Sequence, residues 1–415
     1  MLKNIIYLFG MQGVNYLIPL IVLPYLVRVL GPQEYGRLGF SVAIIQYLVL
    51  LIDFGFNLLS SSRIAKNKNN LSIVSRIYSI TILSKLAISL FIISITIILV
   101  FSFPKLYDIR FLLLVSLIQI WGAIFTPNWF FQGMEIMRNF AVISVIARLL
   151  SLPLIFIFVK SKDDVIIAAF LQSFVFALSG FIAFIMIHRM KVKMLYVKFS
   201  IIKKYLMRSF TIFIGTVAIS LYTLSTTIIL GMVSNHYELG IFNAADKIRA
   251  ALLGLFVLMG SVFYPRVNNL LKYDKVRAFR LLKNILLYQS FVTLLLAFIF
   301  YYCAPLIVHY YLGEEFNECI DILRLMAPMV VLVPASIVMS NYILLPLGYR
   351  KFFSFIPVTT AICHLFYAIY FSSRMGAYGA SLAILITEAL SFTLLLLVNI
   401  KLKNFNKIFG VGCAR

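Results

Sequence analysis

The stretch HRMKVKMLYVKFSIIKKYLMR, His188 to Arg208, decides how the rest of the chain is read. It carries Arg189, Lys191, Lys193, Lys198, Lys203, Lys204 and Arg208 with no Asp or Glu, and long apolar runs lie on both sides. A basic strip between two hydrophobic halves is what the positive-inside rule leaves on the cytoplasmic face of a membrane protein. Working outward, the N-terminal flank gives apolar windows near residues 5–30, 38–60, 77–102, 110–131, 139–159 and 165–187. The C-terminal flank gives 206–230, 239–264, 284–308, 320–347, 352–372 and 377–399. Each is long enough, at 1.5 Å per residue, to cross roughly 30 Å of hydrocarbon as a helix. Helices are required because the bilayer core holds no water to satisfy a broken backbone.

The expected fold is therefore an all-α polytopic membrane protein with about twelve transmembrane helices in two six-helix lobes. The lobes would occupy 1–187 and 206–400, joined by a basic linker at 188–205 and followed by a tail at 401–415. Composition agrees: of 415 residues 62% are hydrophobic and 12% charged, which excludes a water-soluble globule. The net charge of +23 would point to nucleic acid in a soluble domain. Here the cations sit in short loops between spans, so they set orientation and no nucleic-acid partner is implied. The first apolar run continues past Pro19 and Pro24 to Arg28 without a small-residue cleavage site, so it reads as a retained span.

Twelve spans place 25 of the 37 Lys and Arg residues on the side of the central strip. Seven fall on the other side: Arg28, Arg37, Lys105, Arg110, Lys160, Lys162 and Arg374. Both termini are thus predicted cytoplasmic. Leu30-Gly31 before Tyr35-Gly36 has a short echo 200 residues later in Leu230-Gly231 before Leu239-Gly240. Halves with an even number of spans would be parallel repeats about an axis along the membrane normal, around a central cavity holding the ligand.

Ionisable groups inside spans are the sharpest functional signal, since each costs at least ~2.5–3.5 kcal/mol at the bilayer centre. Asp53, Lys85 and Arg148 lie in spans two, three and five, Arg324 and Glu388 in spans ten and twelve. Span eight holds Asn243-Ala244-Ala245-Asp246-Lys247-Ile248-Arg249. Asp246 and Arg249, three apart, share a helix face and pair locally, which leaves Lys247 on another face. The expected cavity lining is Arg28, Asp53, Arg148, Asn243, Asp246, Lys247 and Arg249. An excess of cations there suits a phosphate-bearing cargo, because Arg and Lys replace the water that phosphate loses. Thr126 to Gly133, a run of amides and aromatics ending the fourth span, fits either sugar contact or interfacial anchoring.

Enzyme and cofactor signatures are missing from the sequence. Asp53-Phe54-Gly55 spells a kinase tripeptide, but it has no catalytic-loop partner or glycine-rich loop. There is no Walker A sequence and no GxSxG, and the four histidines and four cysteines lack metal or redox spacing. Neither a catalytic residue nor a cofactor is expected.

Three early segments carry a resemblance: Gln12-Gly13-x-Asn15-Tyr16, Pro24-Tyr25-Leu26-x-Arg28-x-Leu30-Gly31-Pro32, and Gly55-Phe56-Asn57-Leu58. So do Trp129-x-Phe131-Gln132-Gly133, Phe242-Asn243-Ala244-Ala245-x-x-Ile248-Arg249 and Tyr264-Pro265-Arg266. Together they resemble the Wzx-type O-antigen flippases of the multidrug, oligosaccharidyl-lipid and polysaccharide exporter superfamily. That resemblance implies translocation of an undecaprenyl-pyrophosphate-linked O-antigen repeat unit across a bacterial inner membrane by alternating access. It also implies Arg28, Arg148, Lys247 and Arg249 as cargo-facing cations, with Asp53 and Asp246 as counter-charges, and the O-antigen polymerase and chain-length regulator as partners. An ion-coupled drug exporter of the same superfamily is the alternative, although its lumen should favour acidic residues. An O-antigen polymerase or membrane glycosyltransferase fits less well, because such enzymes need a large external loop.

Overall fold

The computed structural model describes residues 2–410, all helices and connections with no strand among them. Cys413 and Arg415 lie outside the described residues, as do the side chains of Gln12, Asn15 and Tyr16 from the first-span motif. The described residues make twelve helical passes, and this is a multi-pass membrane protein. In chain order they are α1 (2–30), α2 (32–66), α3 (Leu71–Ser102), α4 (110–133), α5 (Met137–Phe158), α6 (Val165–Arg189) and α7 (Phe199–Val233). Then come α8 (His236–Tyr273), α9 (Lys275–Ile307), α10 (319–344), α11 (350–375) and α12 (377–401). Left-handed glycines separate two neighbouring pairs, Gly31 (φ 68°) before α2 and Gly376 (φ 54°) before α12.

The helices overrun the apolar windows on the side of the basic strip. Hydropathy reports only the stretch that hydrocarbon covers, whereas a helix continues until its end groups are capped. Asn70 Oδ1 accepts the backbone N–H groups of Ser72 (3.1 Å) and Ile73 (3.2 Å), starting α3 six residues before its window. Asp274 Oδ1 does the same for Arg277 (3.0 Å) and starts α9 nine residues early. Several passes are interrupted, among them α2 at Phe54-Gly55, α4 at Thr126-Pro127, and α10 by a π-helical end at Val338–Leu344.

The chain divides into two compact units, Met1–Ser220 and Leu221–Arg415. In the first, Trp129, Phe130 and Phe131 are wholly buried and meet Tyr78 of α3 at ring-centroid distances of 5.9 Å for Trp129 and Phe130. The aromatic run at the end of α4 is thus neither a sugar platform nor an interfacial anchor. It is core, because the break at Pro127 turns it inward. Backbones meet closely at α4 and α6, where a Cβ on Gly122 would lie 2.3 Å from the carbonyl carbon of Phe176. Helices in lipid gain little from the hydrophobic effect and associate through such close approach of small residues.

The basic strip does not hang free. Lys193 N–H donates to Ser75 Oγ (3.1 Å) and Leu195 N–H to Ser79 Oγ (2.8 Å), so it climbs along α3 before α7 begins. Tyr205 on α7 then shares its hydroxyl with Ser60 Oγ of α2 (2.8 Å).

Candidate functional site

In the N-terminal unit, α2 is interrupted in mid-course. It stops at Asp53, passes Phe54 (φ 40°) and Gly55 (φ 74°) in the left-handed region, and resumes at Phe56. The start of α7 crosses at this point. A Cβ on Gly55 would stand 2.9 Å from the backbone nitrogen of Phe213, so only glycine admits the crossing. Ser209 Oγ donates to the Phe54 carbonyl beside the break, and the Phe54 ring stacks on Phe213 with centroids 4.5 Å apart.

Asp53, at the lip of this break, takes the Lys85 ammonium of α3 at 2.5 Å on Oδ1. Asn57 donates to its other oxygen at 3.3 Å. Lys85 is 1% exposed and Asp53 30%, so the pair is sealed on the lysine side and open on the carboxylate side. Asp53 is therefore a counter-charge to Lys85, a residue that the sequence singled out only as an intramembrane charge.

Arg148 stands on α5 at the flank of the buried face made by Ala147, Ser151 and Ile155, and is half-buried. Among the described residues its guanidinium has no carboxylate within 4 Å and no hydrogen-bond partner. Arg28 is exposed near the end of α1. One turn earlier, Tyr25 donates to the carbonyls of Phe156 (3.1 Å) and Val159 (2.6 Å) at the end of α5. Arg148 lies eight to eleven residues before those carbonyls, so the two arginines stand at different levels, roughly 12–17 Å apart along α5.

The C-terminal unit holds the α8 cluster. Arg249 clasps Asp246 Oδ1 through Nε (2.9 Å) and Nη2 (2.6 Å), the pairing that the three-residue spacing predicts. Glu388 of α12, 9% exposed, lies within electrostatic reach of Arg249. Ala244 and Ala245 are fully buried and Lys247 is exposed. Asn243 is 8% exposed; its carbonyl accepts from Thr227 Oγ1 at 3.5 Å, while its amide nitrogen has no partner among the described residues.

Next to this lies a polar network that the sequence did not reveal. His364 of α11, wholly buried, joins Thr226 Oγ1 of α7 through Nε2 (2.9 Å) and Thr387 Oγ1 of α12 through Nδ1 (2.7 Å). Tyr367 adds its hydroxyl to Thr387 at 2.6 Å. Four histidines without metal spacing gave no reason to pick this one. The usable signal was its position, twelve residues before Gly376, with Glu388 twelve residues after it.

The sequence pattern of the polysaccharide biosynthesis protein family matches residues 1–271. The chain belongs to that family. Over 400 residues, 95% of each chain, it is 33% identical to the "Putative O-antigen transporter" of Escherichia coli K12. Among solved structures it is similar to the lipid II flippase MurJ in an inward closed conformation, with a TM-score of 0.75 at 16% identity over 99% of this chain and 90% of that one. It is also similar to an inward-facing multidrug resistance MATE transporter of the MOP superfamily, with a TM-score of 0.74 at 14% identity over 97% and 96%. At such identities the likeness is one of fold, the two-lobe helical fold of that superfamily. This member of the polysaccharide biosynthesis protein family shows ion pairs and hydrogen-bond networks inside its spans, and the pairs leave Arg148 unaccompanied.

Proposed function

We propose that this protein is a flippase that carries undecaprenyl-pyrophosphate-linked O-antigen repeat units across the bacterial inner membrane by alternating access. It moves its cargo without altering it, from the cytoplasmic to the periplasmic leaflet, with both termini cytoplasmic. The working bodies on this reading are 1–187 and 206–400, joined by the strip at 188–205, and the tail is 401–415. The carrying observation is Arg148, a half-buried guanidinium in a span with no acidic partner among the described residues. An arginine in that position costs at least ~2.5–3.5 kcal/mol, and a pyrophosphate supplies the missing anion through paired N–H···O bonds. Membership of the family and the 33% identity to an O-antigen transporter support the same cargo class. Asn243, with its idle amide, and Lys247 and Arg249 are assigned to the cargo path, with Asp246 as counter-charge; Arg28 is assigned to its outer end.

The test is transport in cells whose own O-antigen flippase is deleted. Arg148→Gln should lower surface O-antigen at least tenfold with the protein still present in the membrane. Normal surface O-antigen in Arg148→Gln and in the Lys247→Gln, Arg249→Gln double variant would remove the cation-path assignment. Drug resistance on overexpression without O-antigen export would replace the proposal with a drug exporter. The O-antigen polymerase and chain-length regulator are the expected downstream partners, to be sought by cross-linking in such cells.

A further inference from the structure

The first turns of α7 form an amphipathic segment whose two sides point to a lipid. Phe199, Leu206 and Phe213 fall on one face at helical spacing and line a groove of about 490 Å³ together with Phe54 and Phe91. Every residue lining it is apolar. Lys203 belongs to the same face, four residues after Phe199 and three before Leu206, and is exposed. Lys204 and Arg208 continue the charge round the helix, and Lys198 precedes it. Among the described residues none of these four cations has a carboxylate within 4 Å. Between them Phe199 (73% exposed), Met207 (68%) and Phe210 (50%) present apolar surface, the mixture of an interfacial helix.

We infer that this groove and its cationic rim bind one anionic diacyl phospholipid, of the phosphatidylglycerol type, from the leaflet on the strip's side. An acyl chain fills the aromatic-walled groove and the phosphate meets Lys203, with Lys204, Arg208 and Lys198 adding attraction. Charge complementarity selects the occupant: the strip holds seven Lys and Arg residues and no acid, so a second copy would bring like charge to like. Basic clusters of this density beside a span draw anionic lipid, and mass action favours the leaflet's bulk anion over a scarce cargo. Bound there, the lipid braces α7 against the break in α2, since Phe54 and Phe213 belong both to the groove and to the contact across Gly55.

The experiment is lipid retention by the full chain taken from vesicles of phosphatidylcholine and phosphatidylglycerol, read by native mass spectrometry. Phosphatidylglycerol should be kept in preference. Lys203→Gln, Lys204→Gln and Arg208→Gln should each lower that preference, roughly fivefold per charge at ~1 kcal/mol per cation. Ala87→Phe, at an exposed position on the groove wall, should lower retention with every cation in place. Equal retention of both lipids by the unaltered protein, no response to the charge variants, or displacement of phosphatidylglycerol by equimolar undecaprenyl phosphate would each overturn the inference. Retention is read without transport, so its failure leaves the flippase proposal standing, and failure of the transport test leaves the groove.

Discussion

The two units handle buried charge in opposite ways. In the N-terminal unit Asp53 and Lys85 belong to different helices, and their 2.5 Å contact ties α2 to α3 beside a backbone break. In the C-terminal unit Asp246 and Arg249 belong to one helix, a turn apart, and beside them His364 of α11 makes neutral links to Thr226 and Thr387. A cross-helix ion pair is architecture, because removing one partner strands the other. A same-helix pair spans only its own turn and by itself ties no second helix. The difference separates a pair that joins two helices from a pair that spans a single turn.

The largest effect should therefore come from Lys85→Met. It leaves the Asp53 carboxylate inside a span without its cation, and breaking a buried pair in this way costs about 3–5 kcal/mol. Because Asp53 is 30% exposed, the lower end applies. Thermal unfolding in detergent should show the loss, and adding Asp53→Asn should recover more than half of it. No recovery in the double variant would mean that Lys85 contributes packing and not charge. Gly55→Ala comes next, at about 1–3 kcal/mol, from a left-handed φ of 74° and the 2.9 Å approach to Phe213. An unchanged melting temperature there would show that α7 yields at the crossing and that the break is not enforced.

How much of this was legible in the chain follows from hairpin geometry. Twelve passes could be read because each apolar window is bounded by polar loops, and Gly31 and Gly376 fall at or beside boundaries that hydropathy alone places. Asp53 lies fourteen residues before Asn67 and Lys85 fifteen after Asn70, so an antiparallel pair folded at that turn sets them level. The same count about Gly376 sets His364 level with Thr387 and Glu388. Both pairings were therefore implicit in the sequence, whereas the link from His364 to Thr226 was not, since it depends on how a non-adjacent helix packs. The Trp129 run was misread for a related reason: the turn at Pro127 that buries it is a tertiary event that composition does not register. Arg148 was legible as an intramembrane charge, but its lack of an acidic neighbour is a fact of packing alone.

A smaller effect is expected at the neutral network. His364→Leu removes two side-chain hydrogen bonds, but Thr387 keeps its bonds to the Ala383 carbonyl (2.7 Å) and to Tyr367 (2.6 Å). Side-chain hydrogen bonds between membrane helices contribute about 0.6 kcal/mol on average, so the loss should be about 1 kcal/mol. A loss as large as that of Lys85→Met would show the neutral clasp to be as structural as the ion pair, and the contrast between the units would fail.

The smallest effect on stability should come from Asp246→Asn. The pair spans a single turn, both side chains are partly exposed at 29% and 14%, and such pairs contribute about 0.2–0.5 kcal/mol. Arg249 is not left without a carboxylate, because Glu388 remains within reach from α12. Melting should therefore move by less than ~1 kcal/mol, while transport changes, since the substitution adds net positive charge where a pyrophosphate is proposed to pass. The two readouts must separate. If Asp246→Asn unfolds the protein, the α8 pair is a brace like Asp53 and Lys85; if neither stability nor transport moves, the α8 carboxylate has no part in the cargo path.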